Sequence, residues 1–252
     1  MVRGLDRFRS AFAAHPDAFV LIGGTACHLA MAQVGSAFRV THDFDIVLCL
    51  EQMDADFGRT LWRFVADGGY SAREKHGGGH HVYRFHRPTD DSYPAMLELF
   101  SRLPDELTVP LGSTLTPIPM GEDIFSLSAI LLDDAYYGLV QAGRRLHEGL
   151  PFLAPEYLVP LKARAWLDLT NRRTAGEAID SADIRKHRND CLRMVALIPG
   201  DRPVPVPPSV RSDMEEFIAG LSTADVQPRS LGLGNVPLTD LVAAMRQLYL
   251  AS

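Results

Sequence analysis

Two aspartates, Asp43 and Asp45, stand two residues apart in an otherwise apolar run that ends at Leu50. In an extended strand successive side chains alternate faces, so both carboxylates project from one face while Phe44 and Ile46 point to the other, into a core. Neighbouring carboxylates repel and raise each other's pKa unless a cation sits between them. The pair therefore reads as a seat for a hard divalent ion bound through oxygen. Upstream, Gly23 and Gly24 close the apolar stretch Ala18 to Ile22, and Thr25 is placed to cap a helix running through Gln33. A glycine pair lets a ligand approach the backbone closely, and a helix start aims free N–H groups at it, which suits a phosphate. Thr41 shares the face of Asp43 and Asp45. Its hydroxyl is positioned either for a phosphate or metal-bound water, or simply as a strand-end threonine of good β-propensity.

A further acid, Glu98, lies in MLELF between Leu97 and Leu99. A carboxylate on an apolar element needs a partner: a metal shared with Asp43 and Asp45, or the substrate; the alternative is an edge-strand acid paired with a nearby arginine.

The elements that must carry these residues follow from periodicity. The pattern predicts a helix from Leu5 to Ala14, strands over Ala18 to Ile22, Phe44 to Leu50, His81 to Arg87 and Met96 to Phe100, and a helix over Asp54 to Asp67. From Ser126 onward the runs LSAILLDDAYYGLVQAGRRL, PEYLVPLKARAWLDLTNRR and SADIRKHRNDCLRMVALI read as helices. PGDRPVPVPP is a semi-rigid connector, and a last helix pair covers Ser209 to Ala219 and Leu238 to Leu250. The expected class is α+β: a mixed-sheet domain over residues 1–125, then a mainly helical region over residues 126–252.

With 252 residues and 46% hydrophobic content the chain can bury a substantial core, and its net charge of −6 excludes nucleic-acid binding by bulk charge, leaving only local basic patches. Three scattered cysteines, Cys27, Cys49 and Cys191, fit reduced thiols rather than a disulfide frame. No apolar run approaches membrane-spanning length and the N-terminus has no apolar leader core, so a soluble cytoplasmic protein is expected. The His76 to His81 stretch, with three glycines, reads as a hairpin tip rather than a zinc site. Asp133 and Asp134, in LLDDAYYG, read as surface acids or helix partners rather than catalysts, and Trp62 and Trp166 as core.

A strand, a Gly-Gly turn, a helix, then Asp-x-Asp on a strand with a carboxylate on a later one resembles the polymerase-beta-like nucleotidyltransferases. Gly23, Gly24, Thr25 and Ala26, followed by Arg39, Thr41, Asp43 and Asp45, look most like the AbiE-type (AbiEii, MenT-like) toxins of bacterial toxin–antitoxin pairs. Lys162 in LVPLKARAWLDLTNRR and Asp183 in SADI extend the likeness; the chain after Arg193 matches nothing in it. The resemblance implies a polymerase-beta-like fold that transfers a nucleotide from a nucleoside triphosphate, with Mg²⁺ or Mn²⁺ held by Asp43, Asp45 and Glu98. It further implies phosphate contacts from Gly23, Gly24, Thr25, Arg39, Thr41 and Lys162, and a catalytic or orienting role for Asp183. An RNA acceptor, most simply the 3′ end of tRNA, and a cognate antitoxin are the implied partners. The basic clusters Arg172-Arg173 and Arg185 to Arg188 are candidates to face RNA. A small antibiotic-like or protein hydroxyl is the alternative acceptor, and a non-catalytic nucleotide-binding module the alternative class.

Overall fold

A computed structural model describes residues 2–74, 82–103, 115–118, 128–200, 202–222 and 226–251; the His76 to His81 stretch lies outside them. The chain divides into two compact units, Met1–Leu153 and Ala154–Ser252. In the first, the order is α1 (Leu5–Ala11), β1 (Phe19–Ile22), α2 (Gly23–Gln33), β2 (Asp43–Leu48), α3 (Ala55–Asp67), β3 (Ser71–Glu74), β4 (Val82–His86), β5 (Met96–Ser101), β6 (Leu115–Pro117), β7 (Ser128–Leu131), α4 (Asp134–Ala142), β8 (Arg144–His147) and β9 (Leu150–Leu153). The second holds α5 (Pro155–Thr174), α6 (Ser181–Val195), α7 (Pro208–Ser222) and α8 (Leu238–Tyr249). The class is α+β, as the patterning predicts.

The strands form one mixed sheet in the order β3-β4-β5-β2-β1-β9-β8, with β7 alongside the far end of β5 and β6 on β7. At its centre β1 and β2 are antiparallel, β2 and β5 parallel, and β5 and β4 antiparallel. The helical region begins at Ala154 rather than Ser126. Of the described residues in LSAILLDDAYYGLVQAGRRL, expected to be helical, only Asp134–Ala142 is helix; SAIL and RRLH are strands that extend the sheet, as is LPFL, which lies between two of the expected helices. All three are too short to show a period, so pairing rather than pattern decides them. Glu148 (φ 49) and Gly149 (φ 79) are both left-handed, which is what a two-residue hairpin between β8 and β9 requires.

Phe44 is fully buried on the face opposite Asp43 and Asp45. There Phe8 of α1 meets the edges of Phe19, Phe44 and Phe64 at 5.2–5.6 Å between ring centres and stacks on Phe12 at 4.4 Å. Each such pair adds roughly 0.5–1.5 kcal/mol beyond simple burial, so this aromatic cluster fixes which way β2 faces. Trp62 packs edge-on against Phe85. Asp54 caps α3 by accepting from the Phe57 amide, and Asp133 caps α4 by accepting from Tyr136. Asp133 is thus a helix-start acid.

Beyond β2, Glu51 receives hydrogen bonds from Tyr137 Oη (2.7 Å) and Arg102 Nε (2.9 Å). Burial by itself would raise the Glu51 carboxyl, but the bonds from Tyr137, its own backbone and Arg102 outweigh that and hold it below the usual glutamate value of 4.5. A depressed carboxylate stabilises the fold above its unfolded value, and that contribution disappears as pH falls through the folded one. Glu51→Gln is therefore expected to lower stability at neutral pH and to flatten the loss of stability below pH 4.5, measured as urea midpoints across pH.

In the second unit α5 and α6 pack side by side, α7 lies on α5, and α8 on α6 and α7. Pro160 sits inside α5 and cannot donate to the Glu156 carbonyl four residues back. The buried Tyr249 hydroxyl of α8 donates to that carbonyl at 2.8 Å, so one helix repairs the orphan acceptor of another. Trp166 meets Phe217 edge-on at 5.3 Å and passes so close to Gly220 that a Cβ there would stand 2.7 Å from its ring.

Candidate active site

The register of four strands assembles the acidic face. Ile22 of β1 pairs with Asp45 of β2, Asp45 with Glu98 of β5, and Glu98 with Arg84 of β4. One row over, Asp43 pairs with Met96 and Met96 with His86. Residues directly opposite in a ladder project from the same face, so Asp43, Asp45, Glu98, Arg84 and His86 share one surface. The alternation along β2 is as the sequence predicts: Asp43 and Asp45 are partly exposed, Phe44 and Ile46 buried.

The glycine pair meets these acids directly, though not as a turn ahead of a Thr25 cap. The helix α2 begins at Gly23 itself, with Ile22 as its capping residue. Gly23 has φ +63, and a Cβ on it would overlap Asp45 Oδ2; glycine is required there both for the backbone angle and for the carboxylate's approach. A Cβ on Gly24 would stand 2.6 Å from Thr41 Oγ1 and 3.6 Å from Arg39 Nη2, which places both side chains at the start of α2. Thr25 is fully buried and its hydroxyl donates to the Asp43 carbonyl at 3.0 Å. Instead of capping, it fastens α2 to the strand that carries the aspartates. Thr41 is also buried, and the Arg39 guanidinium lies 5.1 Å from the Phe38 ring centre.

Glu98 is tied to Arg84. Both Nε (2.6 Å) and Nη2 of that arginine donate to Glu98 Oε1, and both side chains are mostly buried. Among the described residues no three His, Cys, Asp or Glu side chains gather as a ready metal cage. Asp43 and Asp45 suit a divalent cation: two oxygen donors on one face, against a helix start that a side chain at residue 23 would obstruct. Glu98 is in register to join them but holds Arg84. The arginine partner is detectable in principle from VYRFH, because the alternation that aligns Asp43 with Asp45 also aligns Arg84 with His86.

Lys162 and Asp183 belong to the second unit. Lys162 is buried, with Nζ 3.2 Å from Asp190 Oδ2, and Asp190 is itself fully buried and approached by Arg193 at 3.5 Å. Lys162 is thus paired with Asp190 rather than oriented by Asp183, which lies two helical turns, roughly 10 Å, nearer the start of α6. Asp183 is exposed in the first turn, where an acid complements the helix dipole, and Asp180 caps the helix by accepting from the Ala182 amide. Asp190 carries no local signal in the sequence that would single it out.

No protein-family model and no curated protein matches this chain. Among solved structures it is similar to the crystal structure of JHP933 from Helicobacter pylori, at 14% identity and a TM-score of 0.39 over 96% of this chain and 87% of that one. It is also similar to the Megavirus polyadenylate synthase, at 11% identity and a TM-score of 0.37, over 86% of this chain and 36% of that enzyme. No described helix is long and apolar enough to cross a membrane.

Proposed function

We propose that this chain is a metal-dependent nucleotidyltransferase that transfers a nucleoside monophosphate from a nucleoside triphosphate to a hydroxyl of an RNA, acting as the toxin of a toxin–antitoxin pair. The observation that carries this reading is the Asp43 and Asp45 pair on one strand face, set against a helix start whose Gly23 leaves space only for the Asp45 carboxylate. Asp43 and Asp45 would hold Mg²⁺ or Mn²⁺, which when bound supplies neutralisation of charge on the attacking and leaving oxygens. Gly23 and Gly24 lie in the first turn of α2, where backbone N–H groups have no partner within the helix and would bind phosphate oxygens, and Thr41 lies beside Gly24. Thr25 holds α2 in register with β2. Glu98, once off Arg84, is the nearest in-register acid to complete the site or accept the proton of the incoming hydroxyl.

The RNA acceptor and the toxin role rest on the motif resemblance together with exposed basic residues of the helical unit. Arg173, Arg185 and Lys186 are exposed there, whereas Arg172 is engaged with Asp168 and Glu177. The test is transfer of label from each of four α-labelled nucleoside triphosphates to total tRNA with Mg²⁺. Label on tRNA that falls at least about 1,000-fold in Asp43→Ala and Asp45→Ala is the expected result. Label that persists in both variants would end the assignment of chemistry to these aspartates, and label only on small hydroxyl compounds would replace the RNA acceptor.

A further inference from the structure

Beside the acidic face, on the same side of the sheet, a groove of about 660 Å³ runs along β4 and the start of β5, lined by Arg3, Arg84, His86, Arg87, Asp91 and Met96. Its size is that of a small-ligand site. Its charge is opposite to that of the aspartate pair: three arginines and a histidine against one carboxylate. The sole acid of the lining, Asp91, is almost fully exposed and pairs with Arg3 at 2.9 Å, a solvent-screened contact that an incoming anion readily replaces. Among the described residues the side chains of His86 and Arg87 make no hydrogen bond or ion pair, and the His86 backbone is held between Ser71 and Met96. Arg87 is held at φ +52, a left-handed conformation that a long side chain rarely adopts, directly after β4. An arginine held at such a backbone angle, beside two further arginines and a histidine, is the kind of outlier from which a ligand site is inferred.

The strand register connects this groove to the aspartates. Two rows cross the sheet, Asp43–Met96–His86 and Asp45–Glu98–Arg84, each running from an acid on β2 to a base on β4. Two strand spacings, roughly 10 Å, separate the ends of each row. A single ligand with a phosphate in the groove can therefore present a neighbouring group at Asp43 and Asp45.

We propose that this groove binds a phosphate group of the acceptor, and that Arg84 is shared between that phosphate and Glu98. A phosphate seated against Arg3, His86 and Arg87 offers Arg84 a bidentate anionic partner, drawing it from Glu98. The released Glu98 carboxylate then faces Asp45, its in-register neighbour. Acceptor binding thereby completes the acidic face, and the enzyme without acceptor keeps its third acid sequestered. That the phosphate belongs to an acceptor rests on the nucleotidyl-transfer reading; the phosphate site and the sharing of Arg84 do not.

The test is calorimetric binding to the full chain in EDTA, without nucleoside triphosphate, with inorganic pyrophosphate and with a 5′-phosphorylated RNA trinucleotide as probes. Wild type is expected to bind at least one probe, with affinity falling as salt rises. Arg87→Gly should bind about tenfold more weakly while melting no lower than wild type, because glycine suits φ +52. Glu98→Gln should bind roughly fivefold more tightly, because Arg84 loses its charged competitor. Tight binding of the trinucleotide but not pyrophosphate assigns the site to a nucleic-acid phosphodiester; the reverse assigns it to a small phosphorylated compound. No metal-free binding of either probe, or unchanged affinity in Arg87→Gly, overturns the site; unchanged affinity in Glu98→Gln overturns the sharing of Arg84. Metal-free binding that behaves as expected in a protein with no label transfer would remove the nucleotidyl-transfer reading and leave the groove standing.

Discussion

Asp190→Ala is expected to destabilise the helical unit by about 3–5 kcal/mol. The carboxylate is fully buried between Lys162 Nζ at 3.2 Å and Arg193 Nη1 at 3.5 Å. Removing it leaves the Lys162 ammonium, itself only 5% exposed, in an interior where an uncompensated charge is poorly tolerated. Against a typical total of about 5–15 kcal/mol, that loss takes a large share of the stability. The two tryptophans fall one in each unit, Trp62 in the first and Trp166 in the second. In a Trp62→Phe background Trp166 fluorescence reports urea unfolding of the helical unit alone. The double variant Lys162→Met, Asp190→Leu removes both charges and should recover to within about 1–2 kcal/mol of wild type, as apolar replacement of a buried pair commonly does. A single Asp190→Ala cost below about 1 kcal/mol would mean that the pair is hydrated in solution.

Gly23→Ala is expected to slow the proposed nucleotidyl transfer about 100-fold while leaving the protein folded. Alanine at φ +63 costs roughly 1–2 kcal/mol, and its Cβ would occupy the position of Asp45 Oδ2. The carboxylate must move, and a misplacement of roughly 1 Å in a reacting constellation commonly costs about 100-fold in rate. The control is Gly35→Ala: at φ +68 the backbone cost is similar, but no atom lies within 4 Å of its Cβ. Both variants should melt a few degrees below wild type, and only Gly23→Ala should slow label transfer. Equal activity in the two would separate Gly23 from the site.

Much of the acidic face is legible in the sequence. Side-chain alternation is a property of extended backbone alone, so Asp-x-Asp in an apolar run already puts both carboxylates on one face and Phe44 in a core. The glycine pair announces a close backbone approach, and the group that approaches proves to be Asp45. Thr25 shows the limit of such reading: a threonine after two glycines has the appearance of a cap, yet the helix starts two residues earlier and the hydroxyl turns to the Asp43 carbonyl. The short runs SAIL and LPFL carry no period, and they become strands because β5 and β1 have edges for them to pair with.

The sequence by itself determined which residues are chemically capable and which face of its own strand each one takes, because those are consequences of local backbone geometry. Only the tertiary structure decided who stands beside whom. Glu98 lies 53 residues from Asp45 and meets it through a parallel pairing; Arg84 reaches Glu98 from the next strand; Lys162 is claimed by Asp190 of α6. Each of these contacts joins segments that many other registers would also satisfy. The choice among them is made by burying one continuous apolar surface, a condition on the whole chain that no short stretch of it encodes.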